Sequence, residues 1–362
     1  MQADGNPLDT AEDLIAQGRA KEAATLLFDL IEEGRGGLLA RLTLTRALLA
    51  ANDPREAVRV ARETAMLNPS VAMAAVSLGE ALRAAGTLPT AIGEFQRALR
   101  IDPSLDEARF GLGRAWLDAG EPEKALEAFA RIETPYDALR SAIAQAQAAM
   151  EQARSDPRYV RHLFDQFSID YDARMRGQLG YRAPEILREM VSFVLPQQND
   201  LSILDLGCGT GLAGIVFKDM AARLDGVDLS PAMVEKARTL GIYDELAVGD
   251  IESGLAAFDR RYDLILAADT VVYLGDLEKL FASVAARLAE DGMFLFTVEK
   301  ADREGFELGP KRRWRHSEGY LRATAEKAGL DVAGLMPASP RTEAGVPVEG
   351  MAVALRLAEK VG

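Results

Sequence analysis

A fixed period runs through the first part of this chain. Gly18, Asn52, Gly86 and Gly120 stand 34 residues apart, and five residues after each comes an alanine: Ala23, Ala57, Ala91 and Ala125. Two of the copies then place a proline twelve residues further on, at Pro69 and Pro103. Glycine or asparagine supplies a tight turn, a small alanine lets two helices approach closely, and proline stops the second helix. The spacing therefore predicts a helix, a turn and a second helix in each copy. An alanine-rich bundle with accidental glycines would not give three equal spacings. Such a pair cannot bury its apolar face alone, so successive copies should stack.

The best-preserved copies, "LGEALRAAGTLPTAIGEFQRALRIDPS" and "LGRAWLDAGEPEKALEAFARIETP", resemble the tetratricopeptide repeat. The resemblance implies about four repeats over residues 1–135, stacked into a superhelix with a concave face. That face implies binding of a partner protein or self-association, and a plain structural role stands beside these. "YDALRSAIAQAQAAMEQARSD", residues 136–156, reads as a closing and linking helix ended by Asp156 and Pro157.

At 362 residues the chain is long for one domain. A net charge of −14 argues against duplex nucleic acid or an anionic membrane as the main partner, since both need a basic face. Cys208 is the one cysteine, so no disulfide forms within the chain, which fits a reducing compartment. "MQADGNPLDTAEDLIAQG" is acidic and has no apolar stretch like that of a signal peptide. No run of ~18 apolar residues suits a membrane span, so the cytoplasm is the expected location.

From residue 201 the pattern changes. "LSILDLG", "RLDGVDLS", "ELAVGD", "YDLILAAD" and "GMFLFTVE" read as strands, with helices between several of them. Ser230 and Pro231 mark one helix start. "DVAGLMP" and "EGMAVALRLA" read as a final hairpin, giving seven strands. This alternation predicts an α/β, doubly wound, mostly parallel sheet over residues 157–362. Asp205, Asp228, Asp250 and Asp269 close the first four strands. Ligands bind at the carboxyl ends of such strands, so these four acids should share one rim.

Gly209, Gly211 and Gly214 spell the G-x-G-x-x-G of a dinucleotide loop. Asp205 speaks against that reading. It stands two residues before Gly207, where a carboxylate matches a pyrophosphate poorly and an ammonium group well. The glycines also begin earlier than the literal match, at Gly207.

With Asp205 included, "LDLGCGTG" resembles the first motif of the class I S-adenosylmethionine-dependent methyltransferases. That resemblance implies a Rossmann-like fold and S-adenosylmethionine as cofactor. It places Asp205, Gly207, Cys208 and Gly209 in the cofactor loop. "VDLSPAMVEKAR" is similar to the family's second motif, so Asp228 would grip both ribose hydroxyls while Leu229 and Met233 line the adenine. "VGDIE" is similar to the third, where Asp250 would accept from the adenine amino group and Ile251 would offer its backbone N–H. "LAADTVVYLGDL" matches the segment after strand four, so Asp269 would pass near the sulfonium. "LFDQFSIDYDARMRGQLGYRAPEIL" resembles the cap helices of small-molecule members, within 157–195, where Tyr171 would close over the methionine end.

These residues imply methyl transfer to a small acceptor through oxygen, sulfur or nitrogen, by in-line displacement without a metal. His162 and His316 are the two histidines and make no ligand cluster. The segment 300–315 is long for a connection and contains "GPKRRWRHSEGY". It suggests a lid in which Arg313 and Arg315 meet an anionic acceptor and His316 acts as base, with Tyr181, Asp269 and Tyr273 as the other candidates; a solvated basic surface is the plainer reading. Two further functions stay open: a repeat scaffold or protein methyltransferase whose repeats recruit the target, and an NAD(P)-dependent oxidoreductase, which Asp205 disfavours.

Overall fold

The computed structural model describes residues 6–167, 171–177, 179–195, 199–309, 312–343 and 345–359. The chain divides into two compact units, 1–151 and 152–362.

The first unit is helical. Pro7–Ala16 pairs with Ala20–Glu32, Gly37–Ala50 with Pro54–Leu67, Ala72–Ala84 with Leu88–Ile101, and Asp106–Asp118 with Pro122–Phe129. Gly18, Asn52, Gly86 and Gly120 all take positive φ, from 60° to 76°. Each sits in the same helix-ending turn, in which the next N–H donates to a carbonyl five residues back: Arg19 to Leu14, Asp53 to Leu48, Thr87 to Leu82 and Glu121 to Trp116. Ala23, Ala57, Ala91 and Ala125 are fully buried.

A second signal at the same period lies in the later copies. The ring of Phe95 packs where a Cβ on Gly79 would stand 2.8 Å away and one on Gly111 only 2.3 Å. Phe129 packs on Gly113 in the same way, at 2.2 Å. Both glycine–phenylalanine pairs, 79 with 95 and 113 with 129, repeat at 34 residues.

The closing helix is shorter than the sequence suggests. It runs Asp137–Met150, and Asp156 begins the next helix instead of ending this one, its carboxylate accepting from the Arg158 N–H at 2.8 Å. Proline disfavours helical backbone at the residue before it, which makes Asp156 a natural start.

In the second unit the strands are β1 Leu201–Leu206, β2 Ala221–Asp228, β3 Glu245–Val248, β4 Tyr262–Ala267, β5 Leu288–Lys300, β6 Phe306–Leu308, β7 Trp314–His316, β8 Leu330–Ala338, β9 Thr342–Glu343, β10 Val346–Pro347 and β11 Gly350–Leu357. The main sheet runs β3-β2-β1-β4-β5-β11-β8. Its first five strands are parallel, and β11 is antiparallel to both β5 and β8. The expected seven strands are there, and the final pair are antiparallel neighbours with β11 inserted between β5 and β8. One departure is at the segment 300–315, expected as a long connection. β6 and β7 lie there, and β7 pairs parallel with the end of β5, Lys300 opposite His316.

Apolar cores cover both faces. Ala183–Val194 and Leu212–Phe217 pack on one, while Glu278–Arg287 and Glu318–Lys327 pack on the other. The chain leaves β1 for β2 and β3, then returns to β4, so the direction of winding reverses between β1 and β4. That crevice, at the carboxyl ends, is where an open α/β sheet takes its ligand. Among the described residues no helix is long and apolar enough to cross a membrane.

Candidate active site

The crevice is a cleft lined by apolar and aromatic side chains with a few acids among them, the make-up of small-molecule sites. Its walls are Arg154 and Ser155, the cap helices Pro157–Phe167 and Tyr171–Gly177 with Tyr181 after them, the loop after β1, the ends of β2 and β3, and the segment after β4. Side-chain hydrogen bonds tie the cap to the loops, from Thr210 to Asp172 at 2.5 Å and from Ser230 to Asp165.

The glycine loop turns on left-handed residues, Gly207 at φ 72° and Gly209 at φ 54°. At Gly207 a Cβ would collide with Thr270, 2.4 Å away, whereas at Gly209 it would meet open space. Backbone therefore faces the cleft at close range where a ligand would lie. Gly214 lets Tyr243 approach, and the Tyr243 hydroxyl donates to Asp205 Oδ2 at 2.7 Å. Asp205 thus stands behind the loop, 1% exposed, and does not line the cleft. Burial, offset in part by Tyr243, raises its pKa to about 7. The sequence places Asp205 in the cofactor loop; in the structure its carboxylate braces that loop from behind through Tyr243.

Asp228 ends β2 with its carboxylate fixed by backbone. Gly209 N–H donates to Oδ2 at 2.9 Å and Ser230 N–H to Oδ1 at 2.8 Å. It lines the cleft beside Leu229, and burial raises its pKa. Met233 is fully buried beneath, N–H bonded to the Ser230 hydroxyl, and does not line the cleft. Asp250 and Ile251 line the opposite end. Cys208 lines the loop as a buried thiol whose pKa burial pushes well up, so it stays protonated.

At the other end stand Phe164, Tyr171, Tyr181, Asp269 and Tyr273. The rings of Tyr171 and Tyr273 both meet Phe164 edge-on, at 6.0 and 5.6 Å. Burial raises the pKa of all three tyrosines. Tyr181 donates to the Ala268 carbonyl at 3.2 Å, a role for a phenol and not for a phenolate base. Asp269 takes φ 55°, donates its N–H to Thr297 at 2.9 Å and accepts from Arg341. Burial raises its pKa, against the pull of Arg341.

Arg341 is a residue that the sequence did not point to. It is 1% exposed and bonds Asp269, Glu299 and Glu343 together. Arg313 joins the cluster through Glu343 at 3.0 Å, and Arg315 lies 3.5 Å from Glu299 and 3.6 Å from Asp302. Neither Arg313 nor Arg315 lines the cleft, and carboxylates already occupy both. The lid reading also covers residues 310 and 311, which lie outside the described residues.

His316 is placed differently from its expected role as base. The β5–β7 pairing buries it completely, behind the segment after β4, with Nε2 3.0 Å from the Gly275 carbonyl. Burial lowers its pKa to about 4, and the backbone bonds offset this only in part. Among the described residues, no group of three His, Cys, Asp or Glu side chains is arranged to hold a metal ion.

Residues 175–333 match the methyltransferase-domain family, and residues 42–106 and 82–150 match two tetratricopeptide-repeat families. A methyltransferase domain therefore follows tetratricopeptide repeats in this chain. Its methyltransferase region is 32% identical over 149 residues to the malonyl-[acyl-carrier protein] O-methyltransferase of Geobacter sulfurreducens, covering 40% of this chain and 54% of that one. It is 30% identical over 120 residues to the 18S rRNA (guanine-N(7))-methyltransferase of Bos taurus, covering 33% of this chain and 39% of that one. A solved S-adenosylmethionine-dependent methyltransferase from Clostridium acetobutylicum is 20% identical, covering 54% of this chain and 100% of that one, with a TM-score of 0.42. The chain spans about half the length of the malonyl-[acyl-carrier protein] relative.

Proposed function

We propose that the methyltransferase domain binds S-adenosylmethionine across the ends of β1, β2 and β4 and methylates a small-molecule acceptor. The observation that carries this reading is Asp228. Its carboxylate is oriented by two backbone N–H groups and still faces the cleft. That suits a pair of vicinal hydroxyls, which can donate to both oxygens. The residues fit the rest of the cofactor as well: open space at Gly209, an acid at Asp250 for the adenine amino group, the Ile251 N–H, and an aromatic wall at the methyl end.

Bound there, S-adenosylmethionine supplies a methyl group on a sulfonium, displaced in line by an acceptor lone pair. Tyr171 and Phe164 exclude water from that end. Tyr181 and Tyr273 hold the acceptor. Asp269 takes the acceptor proton when an oxygen or sulfur must lose one, with Arg341 holding the carboxylate in place. Oxygen, sulfur and nitrogen acceptors all suit this wall. The net charge of −14 disfavours RNA as the acceptor.

The catalytic unit begins near residue 152 in this reading, with the repeats ahead of it. A second reading, recruitment of a protein-borne acceptor by the repeats, is favoured by the repeat-family match. The Geobacter relative is named for an acceptor on a carrier protein.

Calorimetry tests the cofactor. S-adenosylhomocysteine should bind and NAD should not, and Asp228→Ala should weaken binding by roughly 2–4 kcal/mol, the value of a few charge-assisted hydrogen bonds. Tight NAD binding with no heat from S-adenosylhomocysteine would end this reading.

A further inference from the structure

The segment leading into the second unit is built into the wall of the cleft. Gly275 and Asp276 both donate their N–H to the Ala153 carbonyl at 2.9 Å, and Ser155 N–H donates to the Tyr273 carbonyl at 2.9 Å. Arg154 thereby pairs antiparallel with Leu274. The approach is close: a Cβ on Gly275 would stand 2.8 Å from the Ala153 oxygen. From this short ladder the Arg154 guanidinium reaches Asp250 Oδ2 at 2.5 Å and also Glu252. Arg154 itself lines the cleft beside Asp250 and Ile251, and its Nε is buried without a hydrogen-bond partner among the described residues.

We propose that Arg154 is a positioning residue that sets base specificity, by fixing the Asp250 carboxylate so that the cleft takes an adenine and rejects a 6-oxopurine. This rests on the reading above, in which the adenine amino group meets Asp250. A carboxylate only accepts, so it attracts a 6-amino donor and repels a 6-oxo acceptor. That discrimination depends on where the carboxylate is held. Two contacts hold it. Glu252 N–H donates to Oδ1 at 3.0 Å from within the same turn, and Arg154 reaches Oδ2 from 96 residues away. With Arg154 gone, Asp250 keeps one local contact and is free to turn from the base. A bidentate guanidinium bridging two carboxylates cannot be replaced by a single ammonium.

The test uses the full chain and two ligands, S-adenosylhomocysteine and its 6-oxo analogue S-inosylhomocysteine. The wild type should bind the first and discriminate strongly against the second. Arg154→Met should weaken S-adenosylhomocysteine by about tenfold or more, as loss of a charge-assisted contact does, while the 6-oxo ligand is unchanged or improved. The ratio then collapses, and Arg154→Lys should recover only part of it. If both ligands weaken by the same factor, Arg154 only supports the fold and the proposal falls. Should Arg154→Met fail to fold, Arg154→Lys carries the same ratio test. A wild type that binds neither ligand would overturn the cofactor reading itself, a result distinct from an unchanged ratio in the variants.

Discussion

Replacing His316 with glutamine should remove an acid sensitivity of folding and leave turnover in place. The imidazole is fully buried, its Nε2 meets the Gly275 carbonyl at 3.0 Å, and its ring stacks on Tyr320 at 5.8 Å. Burial holds its pKa near 4 in the folded protein, against ~6.5 in an unfolded chain. The unfolded state therefore takes up a proton first as the pH falls through about 6.5, and stability drops until the folded pKa is reached. Between pH 7 and pH 5 the linkage amounts to about 2 kcal/mol, with a limiting slope of ~1.4 kcal/mol per pH unit.

Asp205 acts in the opposite sense. Its raised pKa of about 7 gives stability that is present at low pH and is lost as the pH rises through 7. The net curve thus mixes both groups, and only the difference between wild type and His316→Gln isolates the imidazole. Glutamine can still donate to Gly275. Urea unfolding across the pH range should show the wild type losing about 2 kcal/mol more than the variant between pH 7 and pH 5. Parallel curves, or an NMR titration of His316 at the ordinary histidine pKa, would refute the assignment.

Asp269→Asn should cut turnover on an oxygen or sulfur acceptor by ~10²-fold, the usual value of a general base, with little change in S-adenosylhomocysteine affinity. The loss should shrink at high pH, where the acceptor ionises unaided; steady-state kinetics against pH would expose a flat deficit if Asp269 only shapes the wall. A chain of residues 152–362 should fold and bind S-adenosylhomocysteine within a few-fold of the full protein, whereas 157–362, lacking Arg154 and its ladder, should bind at least tenfold more weakly. Equal affinity of the two would show that residues 152–156 are only a tether.

The sequence was readable where structure depends on nearby residues. The turns at Gly18, Asn52, Gly86 and Gly120 are local backbone events, so the period showed them directly. The strands carry their own apolar runs, and each of the four acids follows one of them. The structure brings Asp228, Asp250 and Asp269 to the cleft. The fourth, Asp205, is withdrawn by the Tyr243 hydroxyl, 38 residues further on. What escaped was long-range pairing. Arg341 meets Asp269 across 72 residues and Arg154 meets Asp250 across 96, with no local signature at either end. His316 sits in a charged stretch that reads as surface, and only the pairing of β7 with β5 buries it. The glycine–phenylalanine pairs of the repeats were legible in principle, since both partners recur at 34 residues.

Those pairs bear on how the repeat array can change its length. The ring of Phe95 is shared, with Gly79 of its own copy on one side and Gly111 of the next on the other. In the earlier copies the places of Phe95 are taken by Ala61 and Leu27, and those of Gly79 by Thr45 and Ala11, so the joint is not interchangeable with its neighbours. Deleting the fourth copy would strip one wall from Phe95, and inserting an earlier-type copy there would drive a side chain into the ring. Phe129 is in turn closed by Leu139 and Ala142 of the final helix. The array at this end is thus numbered by its packing, and any copy gained there has to bring a glycine with it.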